Sequence, residues 1–249
     1  MSGMSWVFVA LLVFFVGAAA FTAIVAPMRK RGNIGFVQTP VVKSYIGVDE
    51  FNNTDDGVIF ESVKAPGGPA DKAGLVGGDV IVSFDGQPIH DDDQINELMA
   101  QTPIGKTVDV EYMRDGQKKT ARLTTISEEE NRRLTREFER RPEGRAQFGY
   151  RDGDTKIVKV PGMNINGVRL ESILRNQPAD IAGVKEGDVV IEFDGVPIRT
   201  PSELLMRVRR ALPYTTVKLV VMRPKGDPEA ETEPQEFEKI EIPVRLGKQ

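Results

Sequence analysis

The chain has no cysteine and a single histidine, His90, among its 249 residues. Without cysteine there is no disulfide, no thiolate nucleophile and no cysteine-ligated zinc. One histidine excludes the paired-histidine helix of zinc proteases. A Ser-His-Asp triad would have to use His90, and the sequence holds no Gly-x-Ser-x-Gly. No serine is followed four residues later by lysine, and glycine-rich nucleotide loops are missing as well. His90 stands beside Asp91-Asp92-Asp93, where Asp91 or Asp92 suits the N-cap of a helix better than a metal site. These absences predict a non-catalytic protein with no metal and no cofactor. A basic excess is lacking too: the net charge of −4 argues against nucleic-acid binding.

Charge is absent locally at one place. Trp6 to Ala26 contains no charged side chain, and at helical rise it spans about 30 Å, the thickness of a bilayer core. The run is too long for a cleaved signal peptide and has no basic residue before it, so it reads as a single membrane anchor. Arg29, Lys30 and Arg31 follow it, whereas Met1–Ser5 carries no basic side chain. The positive-inside rule therefore predicts a bacterial inner-membrane protein whose soluble bulk is cytoplasmic, the alternative being periplasmic.

What is present is a repeat. Pro69 to Ile89 returns at Pro178 to Ile198 with more than half of its positions identical, so one structural unit is expected twice. Pro69 and Pro178 suit the first turn of a short helix, and Gly74 and Gly183 stop it. Gly-Asp at 78–79 and 187–188 turns the chain into the apolar strands Val80–Phe84 and Val189–Phe193. Asp-Gly at 85–86 and 194–195 predicts a tight hairpin turn. The run Asn52 to Gly57 is expected to be a turn before a strand over Val58–Val63. The second copy carries a longer insert, Arg151–Asn166, expected to alter the border of its groove.

A short helix, a Gly-Asp-Val-Ile strand and an Asp-Gly-x-Pro-Ile turn in succession resemble the core of a PDZ domain of the bacterial, HtrA-like kind. Tyr45-Ile46-Gly47-Val48 resembles that family's carboxylate-binding loop. Asp91–Met99 and Thr107–Arg114 resemble its groove helix and closing hairpin, with Pro201–Arg209 and Thr216–Arg223 as their counterparts. Phe148-Gly149-Tyr150 is the matching loop of the second copy. The resemblance implies binding of an extended peptide, added as a strand beside a helix, with its free carboxylate held by backbone N–H groups. It implies Ile46 and Val48 as an apolar end pocket, Ile95 and Met99 on the first groove helix, and Leu204 and Val208 on the second. HtrA-like relatives usually work in the periplasm, against the charge rule above.

Ser127-Glu128-Glu129-Glu130 reads as a capping box opening a charged helix to about Arg141, a semi-rigid spacer supported by Glu128–Arg132 and Glu129–Arg133 pairs. Leaning on one domain is expected rather than burial between two. Pro224–Gln235 reads as a solvated acidic loop. The expected architecture is α+β, mostly β. An anchor over 1–28 and a tether over 29–43 precede PDZ-like domains at 44–126 and 147–249, each a small, partly open β-barrel with two helices, joined by a charged helix over 127–146. The expected function is a membrane-anchored tandem PDZ adaptor for protein partners with apolar C-terminal tails. The alternatives are an accessory subunit of a membrane complex and a regulator of a separate membrane protease.

Overall fold

A computed structural model describes residues 43–225 and 236–249. The Trp6–Ala26 stretch and most of Pro224–Gln235 lie outside them. Among the described residues, no helix is long and apolar enough to cross a membrane.

The first domain runs β1 (Ser44–Tyr45), β2 (Val48–Thr54), β3 (Gly57–Val63), α1 (Pro69–Lys72), β4 (Val80–Phe84), β5 (Gln87–Pro88), α2 (Asp92–Gln101), β6 (Thr107–Arg114), β7 (Gln117–Thr124) and β8 (Ile126–Ser127). Its antiparallel sheet has the order β2-β3-β4-β6-β7, with β5 on β4 and β1 paired separately with β8. Each local signal has a visible cause. Pro69 opens α1, and Gly74 leaves it at φ +72. Asp85 and Gly86 both take positive φ, as a two-residue hairpin turn requires. Asp91 caps α2 by accepting from the Gln94 N–H at 2.8 Å. Asn52, Asn53 and Thr54 continue β2 instead of turning; the turn is confined to Asp55-Asp56 because Asn53 and Thr54 pair with Val58 and Gly57.

The second domain repeats this order with β9 (Ala146–Gln147), β10 (Thr155–Lys159), β11 (Asn166–Leu170), α4 (Pro178–Ile181), β12 (Val189–Phe193), β13 (Val196–Pro197), α5 (Pro201–Arg210), β14 (Thr216–Pro224), β15 (Phe237–Arg245) and β16 (Gly247–Lys248). Its sheet runs β10-β11-β12-β14-β15, with β13 on β12, and β16 pairs with β9. Both sheets shift register at one point in the strand after the Gly-Asp turn. The insert before β11 contributes β10, which pairs with β11 as a hairpin. Val160 and Ile165 from it, with Phe237, cover Val189, Ile191, Val220 and Met222 on the outer sheet face, a second apolar layer behind the main core.

Between the domains, α3 (Glu128–Glu139) is capped by Ser127 Oγ, which accepts from the Glu130 N–H. Arg132 pairs with Glu128, but Arg133 pairs with Glu130 and Glu137 rather than Glu129. The helix packs on the first domain, where Asn131 is buried beside Gly47, and its Thr135 and Phe138 line a cavity of about 200 Å³ with Asp49, Lys64, Met206 and Arg209. Just past it, Arg141 donates to the carbonyls of Arg209, Arg210 and Ala211, placing a cation on the C-terminus of α5.

The N-terminal half of α5 is held by the first domain. Thr200 Oγ1 donates to the Glu61 carbonyl and accepts from the Glu203 N–H. Glu203 is fully buried, and its carboxylate accepts from the Gly77 N–H at 2.8 Å, the Val63 N–H at 3.2 Å and Arg207 Nε at 2.6 Å. Arg199 forms two bonds to Asp115, and Arg210 reaches Asp71 and the Val63 carbonyl. A Cβ on Gly77 would lie 2.1 Å from the Glu61 carbonyl oxygen, so glycine permits this approach.

Candidate peptide-binding grooves

The two candidate loops share one backbone arrangement. The Ile46 carbonyl accepts from the Ala70 N–H at 2.9 Å, and the Gly47 carbonyl from the Lys64 N–H at 3.0 Å. In the second domain the Phe148 carbonyl accepts from Ala179 at 2.8 Å and the Gly149 carbonyl from Leu174 at 2.9 Å. Val48 pairs with Val63, and Tyr150 bridges Ile173. Phe148-Gly149-Tyr150 therefore takes the place of Ile46-Gly47-Val48 despite its different side chains. Gly149 sits at φ +98, and a Cβ there would come within 2.3 Å of Gln177 Cβ.

The side chains around these loops face largely inward. Ile46, Ile95 and Met99 belong to the first core, with Val48 half-buried against it. Tyr45 is half-buried and opposite Ile126. Phe148, Leu204 and Val208 belong to the second core. Tyr150 packs against that core and stands edge-on to Phe148 at 5.7 Å between centroids. Burial, followed by the nearby Asp152 charge, pushes the Tyr150 phenol well above the usual tyrosine range, while Arg209 at the end of α5 opposes this.

The grooves themselves lie between an edge strand and a helix. Among the described residues, no strand pairs with the outer edge of β2 or of β10. In the first domain, the far end of this gap is bridged. Asn53 Nδ2 donates to Asp92 Oδ1 at 2.9 Å, and the Asp92 N–H donates to Asn53 Oδ1 at 2.7 Å, tying β2 to the start of α2. In the second domain, the corresponding end opens into a cleft of about 340 Å³ bounded by Ile157, Lys159, Arg199 and Thr200. The domains thus differ where a bound peptide would lead away from its terminus.

An ion pair on a buried aspartate at the end of each short helix escaped the sequence reading. Asp79 is buried, receives two bonds from Arg114 at 2.6 Å each, and accepts from the Val76 N–H. Asp188 does the same with Arg223 at 2.7 Å and the Lys185 N–H. Each arginine also donates to the glycine carbonyl that ends the short helix. Burial pushes the Asp79 carboxyl up, with Arg114 opposing; the hydrogen bond to Asp188 pushes Arg223 up. The aspartate after each glycine is thus the anchor of its loop as well as a turn residue. A signal was available: Met-Arg recurs at the same distance after Gly-Asp in both copies.

A short helix behind a glycine-containing loop, an open edge strand, a helix beside it and a closing hairpin define a PDZ fold, present twice. The chain belongs to the PDZ domain family, whose pattern matches residues 44–125 and 145–233. Its relatives include a probable periplasmic serine endoprotease, DegP-like, of Rhizobium meliloti, 24% identical over 73% of this chain and 36% of the relative. A DegP-like counterpart from Pseudomonas fluorescens is 30% identical over 63% of this chain and 33% of the relative. Among solved structures, the HtrA3 PDZ domain bound to a phage-derived ligand is 20% identical at a TM-score of 0.31, covering 34% of this chain and 88% of that one. The chain spans about a third of the length of the curated relatives it matches.

Proposed function

We propose that the protein is a non-catalytic, membrane-anchored tandem PDZ adaptor that binds protein partners through apolar C-terminal tails. The observation that supports this reading most is the second domain's groove. There a loop whose backbone bonding repeats that of Ile46-Gly47 precedes an unpaired edge strand beside α5, and the far end is open. Strand addition at β10 would supply backbone hydrogen bonds, and the apolar surroundings of the loop would select the end residue. The first domain's groove acts more weakly, because a peptide must displace the Asn53–Asp92 bridge. That bridge is exposed and worth on the order of 1 kcal/mol.

Anchoring rests on Trp6–Ala26. The relatives are named as periplasmic, which favours the periplasmic side over the cytoplasmic side that Arg29–Arg31 predict. Alkaline phosphatase fused after Gln249 is expected to be active; an inactive fusion, with an active cytoplasmic reporter at the same site, refutes that placement. For the adaptor role, the test is a labelled peptide library presented to the chain with free and with amidated C-termini. Enrichment of free apolar tails is expected, and equal capture of both forms removes the reading.

A further inference from the structure

Ile59, Val80 and Met113 lie side by side across β3, β4 and β6. Their chain neighbours Val58, Ile81 and Tyr112 belong to the core, so strand alternation turns the trio to the outer face. That face lines the same cleft as the second domain's groove. Across the cleft stands Ile157, 51% exposed on β10 and paired with the core residue Val168. The clasp through Glu203 and Thr200 holds these surfaces opposite one another.

The charges in the cleft are unevenly matched. Arg114 is paired with Asp79, and Arg199 with Asp115. Among the described residues, Asp56 and Glu61 form no salt bridge, and Glu61 has a 3.4 Å contact from Asn52. Burial, reinforced by the neighbouring Glu50, pushes the Glu61 carboxyl up, so an added cation there relieves like-charge repulsion. Lys159 is the cation on the opposite wall.

We infer that the first domain's sheet is a third wall of the second domain's groove. On this assignment, which rests on that groove binding peptide, the composite site takes an extended peptide with an apolar residue and a lysine or arginine upstream of its free C-terminus. The upstream apolar side chain meets Ile59 and Met113, and the cation meets Glu61 and Asp56. Specificity then comes from a domain that does not hold the terminus.

The test is fluorescence anisotropy on the 249-residue chain with two labelled peptides sharing one apolar free C-terminal tail, one with lysines upstream and the other with glutamates. The lysine probe is expected to bind about tenfold more tightly. Glu61→Lys is expected to erase or reverse that ratio, and Asp56→Lys, at an exposed turn, to reduce it with little risk to folding. Equal binding of both probes overturns the third wall while leaving the groove intact. A preference unmoved by both variants places the determinant elsewhere and overturns it too. Failure of both probes to bind removes the groove itself, and the wall with it.

Discussion

Replacing Glu203 by alanine tests whether the two domains are one mechanical unit. The side chain is fully buried, and its carboxylate accepts from two first-domain N–H groups and from Arg207. Alanine leaves two buried N–H donors and the partly buried Arg207 guanidinium without this acceptor, at about 1–3 kcal/mol for each N–H. The gross loss from the two N–H groups is thus about 2–6 kcal/mol, but separation of the domains lets water reach the orphaned groups and limits it. We expect a net loss of about 3 kcal/mol, equivalent to a fall of about 6–12 °C in Tm for a body of this size. Unfolding in urea, followed by circular dichroism and by proteolysis, should change from one transition to two as the clasp opens. Glu203→Gln keeps an acceptor oxygen and should cost about 1 kcal/mol. If Glu203→Ala unfolds in one transition at the wild-type Tm, the clasp does not couple the domains.

Two further results are expected. Asp188→Asn uncouples a buried bidentate pair and should cost about 3–5 kcal/mol within its own domain; a loss under about 1 kcal/mol in urea unfolding contradicts the anchor role. Burial pushes the phenols of Tyr112 and Tyr150 up. The native fold therefore retains these protons when the unfolded chain releases its own near about pH 10, and stability present at neutral pH is lost as pH rises past that point. Phenolate absorbance should develop in two stages, the second coinciding with loss of structure; a single stage with the fold intact contradicts it.

Much of each domain is legible in the sequence because its rules are local. Pro69 and Gly74 bound α1, Asp85-Gly86 closes a hairpin, and Asp91 caps α2 within three residues. The duplicated block gives both sheets. The far contacts are much less legible. Asp79 reads as a turn residue until Arg114 arrives from the closing hairpin. Glu203 reads as an ordinary first-turn acid, and its counterpart, the neutral Gln94, stays local: Gln94 Oε1 accepts from the His90 N–H of its own domain. Glu203 reaches instead into a neighbouring domain, which no spacing within α5 announces. The insert supplies the edge strand β10, but spacing alone does not show that its apolar Val160 and Ile165 pack on the bare outer face of the sheet. The aliphatic residues of the candidate site were identified by position, but Ile46, Ile95, Met99, Leu204 and Val208 brace the cores from which the grooves are built.

The most direct measurement is a titration of the isotope-labelled chain with a peptide ending in a free apolar residue, followed by backbone amide resonances. Shifts at Phe148, Gly149 and Tyr150 that continue along β10 to Ile157 are predicted. A saturating peptide that leaves all of these amides in place contradicts the account, whatever else it moves.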